Sequence, residues 1–321
     1  METGFHNIPF EEYLGLQLVN SSAIKAGIEG SMKRMRAAVT GLLEDSDTKD
    51  RKFGRAEHCY ILEGEEAFTG RVEIASSCTA IKKGDGMPCT NAGVCVNESG
   101  QWLCGVHSKG VDVSVPTEYV TQDELERIKR SCEAIRNHKC FKVLKAGGLP
   151  EVTAIADVFG VRCKTRMDFY RADDGLIIDL KKFDRTIVSV DNAWKVICNL
   201  SYHVQAELYR LAVESLTGKK PTFLWIFAES KPPYDVLPMQ LSESDAASAR
   251  AWIEMTLNDY AKCEREGFWP GIWDQGHPAK SSLPDWKLQQ TPKLEGAEYD
   301  QYEPASGQQE LAYAEDDEYP Y

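Results

Sequence analysis

Two carboxylates and a lysine within one short stretch carry the chemistry this sequence offers. Asp168 sits in an alternating run over residues 161–171, and Asp179 and Lys181 end a second run over 176–181. Side chains two apart on a strand share a face, so Asp179 and Lys181 point together and Leu180 points away. Carboxylate oxygens suit a hard divalent cation, and the acids with their lysine can steer an attacking water. Asp173-Asp174-Gly175 separates the runs, and Asp-Gly is a strong hairpin signal. The spacing predicts one β-hairpin over residues 161–182 that brings both acids and the lysine together beside its turn.

Other acid-x-lysine triplets compete. Asp47-Thr48-Lys49 lies in a polar loop and Asp285-Trp286-Lys287 in a Pro-flanked tail. Glu229-Ser230-Lys231 ends an apolar strand. It has no partner acid on a hairpin-paired strand, and Pro232-Pro233 follow at once.

The remaining elements must bring further groups to that hairpin. Residues 53–62 read as a helix with Ala56, Cys59, Tyr60 and Ile61 on its apolar face and His58 beside it. Taken alone, His58 is an ordinary packed histidine. Residues 191–216 read as mostly helical, with Gln205 and Tyr209 four apart on one face. Strands are expected over 151–159, 221–229 and 236–239, and a long helix over 242–267. Thr121 and Glu124 form a capping box for a helix over 121–137. Asn20-Ser21-Ser22 marks a helix start, after an irregular 1–20 containing Pro9. Lys33, Arg34 and Arg36 lie on a second helical pattern, as phosphate contacts or as a solvated face. Residues 45–52 read as a charged loop. Glu151 opens the strand before the hairpin, either hydrogen-bonding the site from behind its ligands or capping the sheet. The run of strands and helices indicates an α/β fold.

Residues 76–112 differ from their surroundings. Apolar content falls, Gly, Asn and Ser rise, and four of the chain's 10 cysteines gather there. Cys78, Cys89, Cys104 and His107, closed by Cys-x2-His, suit a tetrahedral zinc ion. Cys95 is an alternative to one of the three thiols. A stretch this short cannot bury a core of its own, so a metal would hold it. The remaining cysteines read as small buried apolar residues.

At 321 residues with 42% apolar content, the chain supports one large domain or two small ones. Its net charge of −13 falls to −4 once the nine acidic residues of 294–321 are set aside. The acidic balance therefore does not exclude a nucleic-acid partner. Residues 289–321 are expected to be a disordered acidic tail after a domain spanning 1–288. No run of about 18 apolar residues occurs, and no basic segment leads into an apolar one near the start, so the expected location is cytoplasmic without a membrane.

Taken in order, seven pieces resemble the PD-(D/E)XK nuclease superfamily, and within it the RecE-type (exodeoxyribonuclease VIII-like) exonucleases of phages and prophages. They are Asn20-Ser-Ser-Ala-Ile-Lys, Gly54-Arg-Ala-Glu-His58, Lys164-Thr-Arg-Met-Asp168, Ile178-Asp-Leu-Lys181, Tyr202-His-Val-Gln-Ala-Glu-Leu-Tyr209, Glu229-Ser-Lys-Pro-Pro-Tyr and Trp269-Pro-Gly. Two features depart from the pattern. Lys182 replaces the threonine usual after the motif lysine, and residues 76–112 are an insertion resembling a zinc knuckle.

The resemblance implies a PD-(D/E)XK fold, with a mixed central sheet flanked by helices, and a metal-dependent exonuclease that degrades linear duplex DNA from 5′ to 3′. His58, Asp168, Asp179 and the Leu180 carbonyl would hold Mg²⁺ or Mn²⁺. Lys181 would activate the water or stabilise charge on the phosphate, and Gln205 and Tyr209 would position the DNA or the site. The family context adds a single-strand annealing protein as partner, a homo-oligomer and a phage-infected bacterial host. Two alternatives stay open: a RecB-type nuclease with an iron–sulfur cluster, and a catalytically silent nuclease fold that binds DNA or protein.

Overall fold

The computed structural model describes residues 1–43, 48–84, 86–139, 147–183 and 188–272. Its strands are β1 (Gly4–His6), β2 (Glu73–Ala75), β3 (Cys95–Asn97), β4 (Trp102–Leu103), β5 (Val113–Ser114), β6 (Tyr119–Thr121), β7 (Leu149–Val158), β8 (Val161–Arg171), β9 (Leu176–Phe183), β10 (Thr222–Glu229) and β11 (Val236–Gln240). Six form the central sheet in the order β1-β7-β8-β9-β10-β11. Neighbours are antiparallel except β9 and β10, which run parallel. A parallel pair needs a crossover, and the helices Val190–Asn199 and Tyr202–Thr217 supply it. The described residues up to Trp269 form one compact unit with Met1.

Strand alternation divides the core. Ile178 and Leu180 of β9 pack with Ile226 and Ala228 of β10 against Phe53 and Ala56 of the Lys49–His58 helix and Ile128 and Ile135 of the Gln122–Asn137 helix. Ile177, Phe223, Trp225 and Phe227 face the other way, onto Ala206, Tyr209 and Val213 of the Tyr202–Thr217 helix. Asp179 and Lys181 share the parity of Ile177, so they face that same helix.

The predicted caps form. Asn20 accepts the Ala23 N–H at 2.9 Å, and Thr121 with Glu124 makes the complete capping box. Elsewhere tertiary contacts override local pattern. Residues 1–20 are not irregular: β1 pairs with β7, and Phe10–Gly15 is helical. Lys49 to Lys52 begin a helix rather than end a loop, with Thr48 as its cap. That helix stops at His58 and passes into a π-helical turn, Cys59–Glu63. The helix expected over 191–216 breaks at Leu200–Ser201, where Ser201 takes φ 51°. Lys25 Nζ donates to the Leu200 carbonyl at 2.7 Å, and Ser201 Oγ donates to Glu29 at 3.0 Å. The break is thus held by the Ser21–Ile28 helix. The acidic tail, Cys140 and Asp285-Trp286-Lys287 lie outside the described residues. No helix among the described residues is long and apolar enough to cross a membrane.

Candidate active site

The turn between β7 and β8 sets the register of the site. Phe159 and Gly160 both have positive φ, 48° and 77°, as a two-residue hairpin turn of the primed type requires. Val158 therefore pairs directly with Val161. Farther along, Val152 pairs with Met167 and Pro150 with Phe169, so Glu151 stands opposite Asp168. Glu151 itself has φ 52°, a left-handed conformation that strains a residue with a side chain. Like charges directly opposed on neighbouring strands repel. Burial first, then Asp168, pushes the Glu151 carboxyl above its usual range. Burial first, then Asp179, pushes Asp168 up to about 8. Arg166 Nε donates to Glu151 Oε2 at 2.8 Å. His58 completes the group, its Nδ1 3.5 Å from Asp168 Oδ2. Ligand atoms of His58, Glu151 and Asp168 all lie within 4.8 Å of one another.

Beside these residues the sheet forks. The β8–β9 ladder pairs Arg171 with Leu176, Tyr170 with Ile177 and Phe169 with Ile178. The next bond is made by a side chain, with the Leu180 N–H donating to Asp168 Oδ2 at 2.7 Å. At the far end of β8, Val19 takes the open edge, its carbonyl accepting the Lys164 N–H at 2.7 Å.

Within the fork, Asp179 is 1% exposed and holds Lys181 Nζ at 2.6 Å from Oδ2. Gln205 Nε2 donates to Asp179 Oδ1 at 3.3 Å and to the Tyr209 hydroxyl at 3.1 Å. Burial alone would lower the Lys181 pKa. Asp179, Tyr202 and Asp168 outweigh it and hold the ammonium above its usual value. Lys181 Nζ lies 4.4 Å from the centre of the Tyr202 ring. Burial pushes the Tyr209 hydroxyl well above the ordinary phenol range, so it stays protonated.

The structure thus brings His58, Asp168, Asp179, Lys181, Gln205 and Tyr209 into one region. It places Glu151 beside His58 and Asp168. Tyr202, Arg166 and Lys25 were not singled out as site residues in the sequence. The signal for Glu151 was available, because a two-residue turn at Phe159-Gly160 puts it across from Asp168. Glu229, by contrast, is a structural cap. Its buried carboxylate accepts the N–H groups of Val188 at 2.9 Å and Asp235 at 3.1 Å.

The insertion carries a three-stranded sheet, β4-β3-β5. Its core is built around Cys78, Cys89, Cys95, Leu103 and Cys104. Ligand atoms of Cys78, Cys89, Cys104 and His107 lie within 4.8 Å of one another. His107 Nδ1 is 3.5 Å from Cys78 Sγ and 3.3 Å from Cys104 Sγ, and Cys89 Sγ is 4.0 Å from Cys104 Sγ. Cys95 turns away and donates to the Leu103 carbonyl at 3.4 Å. The backbone N–H of His107, and after it that of Val106, brings the Cys104 thiol down to about 6 against the effect of burial.

Among proteins of curated function, none matches this sequence. A crystal structure from Eubacterium rectale named "Putative exonuclease" aligns over 89% of this chain and 99% of its own, with a TM-score of 0.56 and 14% identity. It shares the fold. A second solved structure, SSO0001, aligns over 44% of this chain and 68% of its own at 13% identity, and its TM-score of 0.24 is too low to bear on the fold. A family model described as a PDDEXK-like domain of unknown function (DUF3799) matches residues 20–276, and the chain belongs to that family and so to the PD-(D/E)XK superfamily.

Proposed function

We propose that this protein is a divalent-metal-dependent deoxyribonuclease acting as an exonuclease on linear duplex DNA. The observation that carries this reading is the convergence of His58, Glu151 and Asp168 beside the buried Asp179–Lys181 pair. One imidazole among carboxylates suits Mg²⁺ or Mn²⁺. The opposed Glu151 and Asp168 fit a cation as well, since both carboxyls are pushed up without one. His58, Glu151, Asp168 and Asp179 would hold it. An extended residue turns its N–H and C=O to the same edge, so the Leu180 carbonyl faces the fork with its N–H and would add a further oxygen. When bound, the cation would neutralise phosphate charge and make a water more acidic.

The chain's own groups account for the rest. Asp179 fixes the Lys181 ammonium, which stays charged and can donate to a phosphate oxygen or to the incoming water. Gln205 fixes Asp179 through one N–H and Tyr209 through the other. Arg166 limits the freedom of Glu151. This restraint keeps the reacting groups in place before substrate arrives.

The family resemblance and the name of the E. rectale neighbour support exonuclease action. The RecE-type resemblance alone supports 5′-to-3′ polarity, a 3′ overhang passed to a single-strand annealing protein, a homo-oligomeric assembly and a phage or prophage setting in a bacterial cytoplasm. Linear duplex labelled at either 5′ or 3′ ends and incubated with Mn²⁺ tests both activity and polarity. Loss of 5′ label as mononucleotide is expected from wild type, and not from Asp179→Ala or Lys181→Ala. A wild type that degrades nothing, like both variants, ends the enzyme reading and leaves the silent, DNA-binding one.

For the Cys/His cluster we propose one structural zinc ion held by Cys78, Cys89, Cys104 and His107. Three thiols and an imidazole favour zinc over an iron–sulfur cluster. The Asn91 amide, 3.8 Å from Cys104 Sγ, would support the thiolate as an outer partner.

A further inference from the structure

Lys25 is a second lysine drawn toward the same ring as Lys181. It lies on the Ser21–Ile28 helix, which Asn20 caps. Its Nζ is 5.1 Å from the Tyr202 ring centre, and Lys181 Nζ is 4.4 Å from that centre. The two lysines differ in how they are paired. Lys181 has Asp179 at 2.6 Å. Lys25 donates one hydrogen to the Leu200 carbonyl at 2.7 Å, and no carboxylate among the described residues forms an ion pair with it. Glu29, the residue that caps the end of the same helix, accepts the Ser201 hydroxyl at 3.0 Å.

Two ammonium groups gather on one aromatic ring. Asp179 and Glu29 draw Lys25 electrostatically, but Asp179 is ion-paired with Lys181 and Glu29 is hydrogen-bonded to Ser201. Burial first, and Lys181 after it, lowers the Lys25 pKa to about 8. Proximity of like charge is costly in the free protein and is relieved by an anion. The ring attracts each cation without neutralising either.

We propose that Lys25 binds a phosphodiester of the substrate strand next to the one cleaved, so that Lys25 and Lys181 grip neighbouring phosphates across Tyr202. This rests on the nuclease reading. An ammonium making a phosphate contact releases counterions, and the contact appears in the salt dependence of binding. A lysine that only braces the Leu200–Ser201 break leaves that dependence alone.

The test compares wild type, Lys25→Gln, Lys25→Met and Lys25→Arg as full-length proteins. KM and kcat are measured on one linear duplex with Mn²⁺ between about 50 and 200 mM salt, and thermal melts are recorded alongside. Gln keeps a donor for the Leu200 carbonyl without the charge, and so separates bracing from phosphate contact even if Met unfolds the helix. The expected result for Lys25→Gln is KM raised about tenfold, kcat changed much less, and the salt slope smaller by about 0.7–0.9, one phosphate. Lys25→Arg should restore the slope. A wild-type slope in Lys25→Gln, with or without loss of activity, overturns the assignment. A wild type that cleaves and binds no DNA overturns both this assignment and the nuclease reading, whereas an active wild type with an unaltered Lys25→Gln overturns this one alone.

Discussion

Glu151 stands opposite Asp168 across the β7–β8 ladder, with His58 Nδ1 3.5 Å from Asp168 on the helix above. Two acids so placed repel each other in the metal-free protein, and a shared cation would relieve that repulsion. That relation gives the first prediction, which concerns pH. Asp168 titrates near 3.8 when unfolded and at about 8 in the fold. Between those values the folded state binds the extra proton, so raising pH removes stability from the metal-free protein across that window. Melts in chelator should fall from pH 5 to pH 8. The same proton competes with the cation, so Mn²⁺ affinity measured by calorimetry should rise, by up to about tenfold per pH unit, until about pH 8 and then level off. An affinity flat from pH 6 to 8 would show that Asp168 is already ionised there.

Replacing Asp168 by Asn should separate folding from chemistry. The amide oxygen can still accept the Leu180 N–H, while the buried charge is gone. Metal-free melting at pH 8 should rise, and nuclease activity should drop by at least about 100-fold. Loss of both would mean that the carboxylate is needed for the fold.

Gln205 and Tyr209 form a relay to Asp179, and its links are unequal. Tyr209→Phe deletes one hydrogen bond and should cost about 1 kcal/mol of stability, with activity lowered modestly. Gln205→Leu removes the bond to Asp179 itself and should lower kcat more than it raises KM. Steady-state kinetics on the two variants will rank them.

Glu229 is the control for the motif. Its carboxylate caps two backbone N–H groups and lies in the acid-x-lysine triplet that competes with Asp179-Leu180-Lys181. Glu229→Ala should cost about 2–3 kcal/mol in denaturant titrations, because buried donors lose a charged acceptor. Catalysis by the fraction still folded should be unchanged.

In the insertion, metal analysis of protein purified without chelator should find about one zinc per chain. Cys104→Ser should lose it, and Cys95→Ser should keep it. Retention by Cys104→Ser with loss by Cys95→Ser would reverse the ligand assignment.

Much of the site was legible because it obeys short-range rules. The Asp-Gly turn fixes the 161–182 hairpin, alternation puts Asp179 and Lys181 on one face, and helical spacing brings Gln205 and Tyr209 together. Asn20 and the Thr121–Glu124 box act where their side-chain chemistry predicts. Glu151 was left between two readings because its place opposite Asp168 follows from the two-residue Phe159-Gly160 turn, and only Gly160 of that pair carries a turn signal. The break at Ser201 was not legible, because it follows from Lys25 and Glu29, more than 170 residues away. The π-helical turn after His58 likewise has no local signature in Cys59–Glu63. Cys95 was ambiguous because spacing alone does not say which way a thiol turns.

The forked ladder has a consequence for how this sheet avoids sticking to others. A strand edge with free N–H and C=O groups invites pairing with another chain. Past Ile178, β9 has such an edge on its β8 side, yet it opens inward between two strands of the same sheet, with Asp168 taking one donor and Val19 closing the opposite end of β8. A foreign strand would have to enter between β8 and β9 to use it. The protein thereby keeps this unpaired edge inside its own sheet and denies it to neighbouring chains.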